Sequence, residues 1–131
     1  MTHSFRGERT LMRIFIGERD RYDGRPLFEA LLALLRSRDF PGATVVRAIA
    51  GFGAHARIHT DRILRLSLDL PLIVEVVATA EQIRSVLPDL DRMIDGGLVT
   101  LERADVILYR PHDLPEDARW QHRMVGLEPE S

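Results

Sequence analysis

Pro71-Leu72-Ile73-Val74-Glu75-Val76-Val77, followed at once by Ala78-Thr79-Ala80-Glu81-Gln82, is the stretch that decides the fold. The first seven residues are apolar and largely β-branched, the composition that suits a pleated, packed surface, and they form the strongest strand signal in the chain. Thr79-Ala80-Glu81-Gln82 then reads as a capping box: the Thr79 hydroxyl accepts from an otherwise unpaired helix N–H, and Gln82 reaches back. A strand that passes so directly into a helix is a βα unit. The helix continues on the stripe Ile83, Val86, Leu87, Leu90 and Ile94, while Pro88 removes one backbone bond and predicts a bend or an interruption. Asp95-Gly96-Gly97 ends it. Leu98-Val99-Thr100-Leu101 and Val106-Ile107-Leu108-Tyr109 follow as a fourth strand and its continuation, broken at Arg103-Ala104-Asp105.

The N-terminal half repeats this order. Leu11-Met12-Arg13-Ile14-Phe15-Ile16-Gly17-Glu18 reads as a strand, and a charged turn follows over Asp20 to Gly24. Pro26 stands at a helix start, and Leu27, Leu31, Leu34 and Leu35, widened by Phe28 and Leu32, give an amphipathic helix to about Arg38. Phe40-Pro41-Gly42 stops it, and residues 43–50 (A-T-V-V-R-A-I-A) form a second strand that ends at Gly51-Phe52-Gly53. The sum is βαβ, loop, βαβ. Two right-handed crossover units of this length predict an α+β, ferredoxin-like sandwich, an antiparallel sheet with both helices on one face. Residues 1–10 are then an N-terminal extension, 11–110 the domain with a large loop at 54–70, and 111–131 a polar tail in which Trp120 and Met124 could dock on the body.

One face of that sheet poses a problem. Val45, Ile49, Leu72, Ile73, Val74 and Val77 are all apolar, yet successive strand residues point to opposite sides. Side chains of this kind stabilise by roughly 1.5 to 3 kcal/mol each when buried, so a second copy of the chain is the simplest cover for the side away from the helices. A homo-oligomer is expected. Arg47 and Glu75, isolated in apolar strands, are expected to pair with each other across the sheet or at a subunit interface.

Composition removes several kinds of chemistry. The chain has 131 residues and no cysteine, which excludes a thiol nucleophile and cysteine-ligated zinc. All 18 basic residues are arginine, so a Walker-type phosphate loop and Schiff-base catalysis are both absent. A net charge of −2 gives no general attraction to nucleic acid. No stretch resembles a signal peptide or a membrane span, and a cytoplasmic protein is expected. The 5 serines and 5 histidines assemble no recognised nucleophile and base, so no enzymatic activity is expected.

The glycine turn Gly51-Phe52-Gly53 leaves peptide N–H groups uncovered, as anion-binding turns do. The segment after it carries His55, Arg57, His59, Arg62 and Arg65 against Asp61, a basic arm beside a candidate phosphate cradle. His55 and His59, four apart, would share one helix face as metal ligands, but no third strong ligand is evident and no metal is assigned.

Gly42-Ala43-Thr44-Val45 through Gly51-Phe52-Gly53, then the loop, Val74-Glu75-Val76-Val77 and Asp95-Gly96-Gly97 resemble the PII signalling superfamily in order and spacing. Gly17-Glu18-Arg19-Asp20, Gly24-Arg25-Pro26-Leu27-Phe28-Glu29 and Leu66-Ser67-Leu68-Asp69-Leu70-Pro71 look more closely like the PII-like family long known only as a domain of unknown function. The resemblance implies a homotrimer that holds an adenine nucleotide between neighbouring subunits. It places Thr44 at the base, Gly51, Phe52, Gly53, Gly96 and Gly97 at the phosphates, and Arg110 as a charge-assisted contact. Gly97 stands where the superfamily has a phosphate-gripping lysine, and Leu108 where it has the first of two arginines. Loss of two cations implies AMP, ADP or cyclic AMP rather than ATP. The implied role is regulation of a partner through the loop with His55, Arg57, Arg62 and Arg65, and the partner class the resemblance suggests is a membrane transporter or channel. Two alternatives share the fold: a divalent-metal trimer of the CutA kind using His55, His59 and carboxylates, and an interaction module with no small-molecule ligand.

Overall fold

A computed structural model describes residues 7–53 and 69–111. Its elements in chain order are β1 (Gly7–Gly17), β2 (Arg21–Tyr22), β3 (Arg25–Pro26), α1 (Leu27–Ser37), β4 (Thr44–Arg47), β5 (Pro71–Ala78), α2 (Ala80–Met93) and β6 (Leu98–Val106). The main sheet has the order β4-β5-β1-β6 with every neighbouring pair antiparallel. That order, with a helix after β1 and another after β5, is the ferredoxin-like arrangement. The expected fold is the observed one.

Alternation along the strands sorts the side chains. Met12, Ile14 and Ile16 of β1 and Leu72, Val74, Val76 and Ala78 of β5 are buried on the helix side. They meet Leu27, Ala30, Leu31 and Leu35 of α1 and Ile83, Val86, Leu90 and Met93 of α2 in one core. Both helices therefore lie on the same sheet face. In α2 the capping box is complete: Thr79 Oγ1 accepts from the Gln82 amide at 3.1 Å, and the Thr79 amide donates to Gln82 Oε1 at 3.1 Å. No helix among the described residues is long and apolar enough to cross a membrane.

Several sequence-based boundaries are corrected. β1 begins at Gly7, inside the stretch read as an extension, because β6 offers it partners: Glu8 faces Asp105, Arg9 faces Ala104 and Thr10 faces Arg103. For the same reason β6 is not broken at Arg103-Ala104-Asp105. Those residues are polar because they lie on an edge strand, where Arg103 pairs with Glu8. Val106 ends the strand, and Ile107, Leu108 and Tyr109 do not continue it. β4 is shorter than expected and stops at Arg47, though the Ala48 amide still donates to the Pro71 carbonyl at 2.9 Å. α2 runs through Pro88 without interruption.

The charged turn after β1 is a two-residue hairpin. Asp23 and Gly24 at its tip have φ of 53° and 81°, the double left-handed turn that matches the twist of paired strands. Arg47 and Glu75 do not pair across the sheet of one chain. Arg47 is in register with Leu72, three residues from Glu75, so the two belong to opposite faces. Arg47 instead reaches Glu18 at 3.0 Å, while Glu75 pairs with Arg13 at 2.8 Å. Arg13 also pairs with Glu102, and the two carboxylates together hold its guanidinium pKa above its ordinary value, the Glu75 hydrogen bond contributing most. The sheet face away from the helices is thus apolar around a charged centre: Leu11, Phe15, Ile73 and Val77 are half-buried there and Val46 is exposed.

The helices are joined by a charged bracket. Asp89 of α2 accepts from Arg92 at 3.0 Å and from Arg38, at the end of α1, at 2.7 Å; Arg38 also donates to the Ser85 carbonyl at 3.2 Å. These arginines, the Arg92 hydrogen bond foremost, hold the Asp89 carboxyl below the usual carboxylate range. A pKa lower folded than unfolded contributes stability that is present above the unfolded value and is lost as pH falls through the folded one. Asp89→Asn is therefore expected to melt a few degrees below the wild type at pH 7, with the difference closing in strong acid. Thermal melts at pH 7 and below 3 check it; a difference that persists unchanged in acid would contradict the assignment.

Candidate functional site

At the C-terminal end of β1 a cleft of about 260 Å³ opens between the turn after β4, the start of β5 and the turn after α2. The strand contributes Phe15, Ile16 and Gly17, the two turns contribute Phe52-Gly53 and Gly96-Gly97, and Asp20, Asp69, Pro71 and Leu98 complete the lining. Most of this wall is apolar. The Phe52 ring stands 65% exposed at its mouth.

The backbone is held closely here. A Cβ on Gly97 would lie 2.5 Å from the Phe15 carbonyl oxygen, so the turn after α2 can lie against β1 only without a side chain. The position expected to have lost a lysine is thus one that no side chain can occupy without moving the strand. Gly51, at φ +147°, packs against Pro71 beside the cleft but does not line it.

Four of the expected site residues, Phe52, Gly53, Gly96 and Gly97, are brought together. Thr44 is not with them. It lies in a second, wider cleft with Leu11, Gly42, Glu75, Val77 and Tyr109. Leu11 and Phe15, which mark the two clefts on β1, are four residues apart, ~13 Å along a strand. Arg110 is exposed beyond the end of β6. His55, Arg57, Arg62 and Arg65, with His59, lie outside the described residues. Among those described, no group of three or more histidine, aspartate or glutamate side chains could hold a metal ion.

Sequence reasoning assigned no part to Asp20 and Asp69, yet both line the first cleft. A signal for them existed. They sit in Gly17-Glu18-Arg19-Asp20 and in Asp69-Leu70-Pro71, segments notable for their resemblance and left without a role. The structure joins the two: the Glu18 amide donates to the Leu70 carbonyl at 2.9 Å, the Arg19 amide to Asp69 Oδ1 at 3.0 Å and the Gly17 amide to Asp20 Oδ2 at 2.9 Å. With Glu18 holding Arg47, one short segment ties down the strand that leaves for the 54–68 stretch and the chain that returns from it.

Comparison with known proteins places this architecture among relatives. The DUF190 family, described as Uncharacterized ACR, COG1993, matches residues 9–106. A UPF0166 protein of Aquifex aeolicus (strain VF5) is 36% identical over 100 residues, 76% of this chain and 94% of the relative. A UPF0166 protein of Methanocaldococcus jannaschii is 34% identical over 92 residues, 70% of this chain and 84% of the relative. Among solved structures, that of CPII bound to ADP and bicarbonate, from Thiomonas intermedia K12, is similar at a TM-score of 0.46 and 15% identity, over 81% of this chain and 93% of that one.

The close approach at Gly97 separates two otherwise alike substitutions. Gly97→Ala is expected to cost about 1 to 3 kcal/mol through overpacking against the Phe15 carbonyl. Gly53→Ala, where a Cβ meets nothing within 4 Å, should stay within ~0.5 kcal/mol. Urea denaturation of both variants measures the contrast, and equal midpoints would contradict it.

Proposed function

The chain belongs to the DUF190 family, and from that premise we propose that it is a PII-like signal-transduction protein: a homotrimer that binds an adenine nucleotide between subunits and regulates a partner through residues 54–70. The observation that carries the reading is the convergence of Phe52-Gly53 and Gly96-Gly97, far apart in sequence, on one cleft. Turns rich in glycine present backbone N–H groups to an anion without side chains in the way. The separation of the two clefts within one chain supports the intersubunit form of the site. With the sheet faces that the helices leave uncovered turned inward, the Thr44 cleft of one subunit meets the Phe52-Gly97 cleft of the next, and Arg110 crosses to the phosphates.

The ligand is AMP, ADP or cyclic AMP in preference to ATP. Outer phosphates need cations, and Gly97 and Leu108 stand where the superfamily supplies them. Signalling follows from an energetic limit. Fixing a residue costs roughly 1 to 2 kcal/mol, so ordering ten residues exceeds the ~8 kcal/mol of a micromolar ligand. A nucleotide alone therefore does not order the loop. A partner that completes the ordering binds the liganded form more tightly, and by linkage raises nucleotide affinity equally. A membrane transporter or channel is the partner class that the resemblance suggests.

Titration calorimetry with AMP, ADP, ATP and cyclic AMP, with light scattering on the same sample, tests the proposal. Three chains per particle and one nucleotide per chain are expected. Arg110→Ala should lose about 1.5 to 3 kcal/mol of binding, tenfold or more in affinity. No heat with any nucleotide would refute nucleotide binding, and a monomer would refute the intersubunit site.

A further inference from the structure

Beyond Pro111 the chain continues as residues 112–131, and it leaves from the wall of the second cleft, where Leu108 and Tyr109 belong to the lining. The cleft encloses about 490 Å³ against Leu11, Val77 and Val106. Its wall is mostly apolar, and Leu108 at the rim and the neighbouring Ile107 stand exposed. The polar side of the cleft is acidic. Thr44 and Glu75 face each other in register on β4 and β5, and Leu11 faces Glu102 on β6, so both carboxylates lie on this side of the sheet. They share one guanidinium, that of Arg13. Among these three groups one negative charge is left over.

The segment that follows has the complementary make-up. Residues 118–127 (A-R-W-Q-H-R-M-V-G-L) hold Arg119 and Arg123 and no carboxylate, around the apolar Trp120 and Met124, and the acidic residues of 112–131 all fall outside that window. Reach is no obstacle. At up to about 3.3 Å per residue the stretch 110–120 extends about 36 Å, more than twice the ~15 Å across a four-stranded sheet. Resting on the nucleotide reading above, we propose that residues 112–131 occupy the Thr44 cleft, with Trp120 as the anchor, and exclude the nucleotide base from it. Indole and adenine are both flat, fused five- and six-membered rings, so an apolar slot that admits one admits the other but not both together. Arg119 and Arg123 flank the anchor and meet the excess charge of Glu75 and Glu102. The tail is a built-in competitor: nucleotide binding displaces it, and tail release reports occupancy of the site separately from the 54–70 loop. A tail docked about nine-tenths of the time raises the apparent Kd about tenfold.

Trp120 is the only tryptophan, so the fluorescence of the full-length protein reads its surroundings directly. Without nucleotide the emission is expected to be blue-shifted and shielded from acrylamide, and saturating AMP should shift it red and open it to the quencher. Leu108→Ser, which makes the cleft wall polar at a position outside the sheet, should give the red-shifted emission with no nucleotide added. By calorimetry Trp120→Ala should bind AMP about tenfold more tightly than the wild type. Emission of an exposed indole from the nucleotide-free wild type would overturn the proposal and leave nucleotide binding intact. So would a blue-shifted emission that neither AMP nor Leu108→Ser moves, which would put Trp120 elsewhere on the body, or one that fades on dilution, which would give it to a second particle. Equal AMP affinity of wild type and Trp120→Ala would refute the competition. No heat with AMP from either protein would overturn this proposal together with the nucleotide reading.

Discussion

Pairing of β1 on both sides is the constraint on which the rest of the structure depends. From Thr10 to Phe15 each residue has a partner in β5 and another in β6, so neither neighbour can slip without exchanging the contents of the two sheet faces. Met12, Ile14 and Ile16 are thereby committed to the helices, and Leu11, Arg13 and Phe15 to the opposite side. The same register carries the strand's end under the turn after α2. A single pairing scheme builds the core, places the Arg13 charge cluster and brings a carbonyl against Gly97.

Much of this was legible from residue types. The strand at 71–77, the Thr79 capping box and the leucine spacing of α1 each have a local cause, and local causes are what a sequence displays. The edges of the sheet were harder. Arg103-Ala104-Asp105 looks like a break because it is polar, but polarity on an edge strand marks solvent and cross-strand ion pairing rather than the end of the ladder. Pairing of Arg47 with Glu75 across the sheet failed for a related reason: facing residues are set by register, and register is a property of two strands together.

The candidate site was legible in its turns and not in its carboxylates. Paired glycines stand out in a sequence, Gly97 sits where no side chain fits, and Phe52-Gly53 and Gly96-Gly97 do share a cleft. Asp20 and Asp69, in contrast, acquire their setting from a meeting of distant segments through backbone bonds at Gly17, Glu18 and Arg19, which no spacing rule encodes. Thr44 and Arg110 illustrate the same limit, since one chain does not bring either to that cleft.

The stapling of Arg47 to Glu18, of Ala48 to Pro71 and of Glu18 to Leu70 has a consequence for how such proteins diversify. The two ends of the intervening segment are pinned by the sheet and by the Gly17–Asp20 segment rather than by the segment's own length. Closing a loop between fixed ends becomes only ~0.6 kcal/mol less favourable for each doubling of its length. Residues could accordingly be added or removed between the pins at little thermodynamic cost to the core. A change in the number of residues between the pins and the packing of the sheet thus concern different stretches of the chain, and the first can proceed without the second.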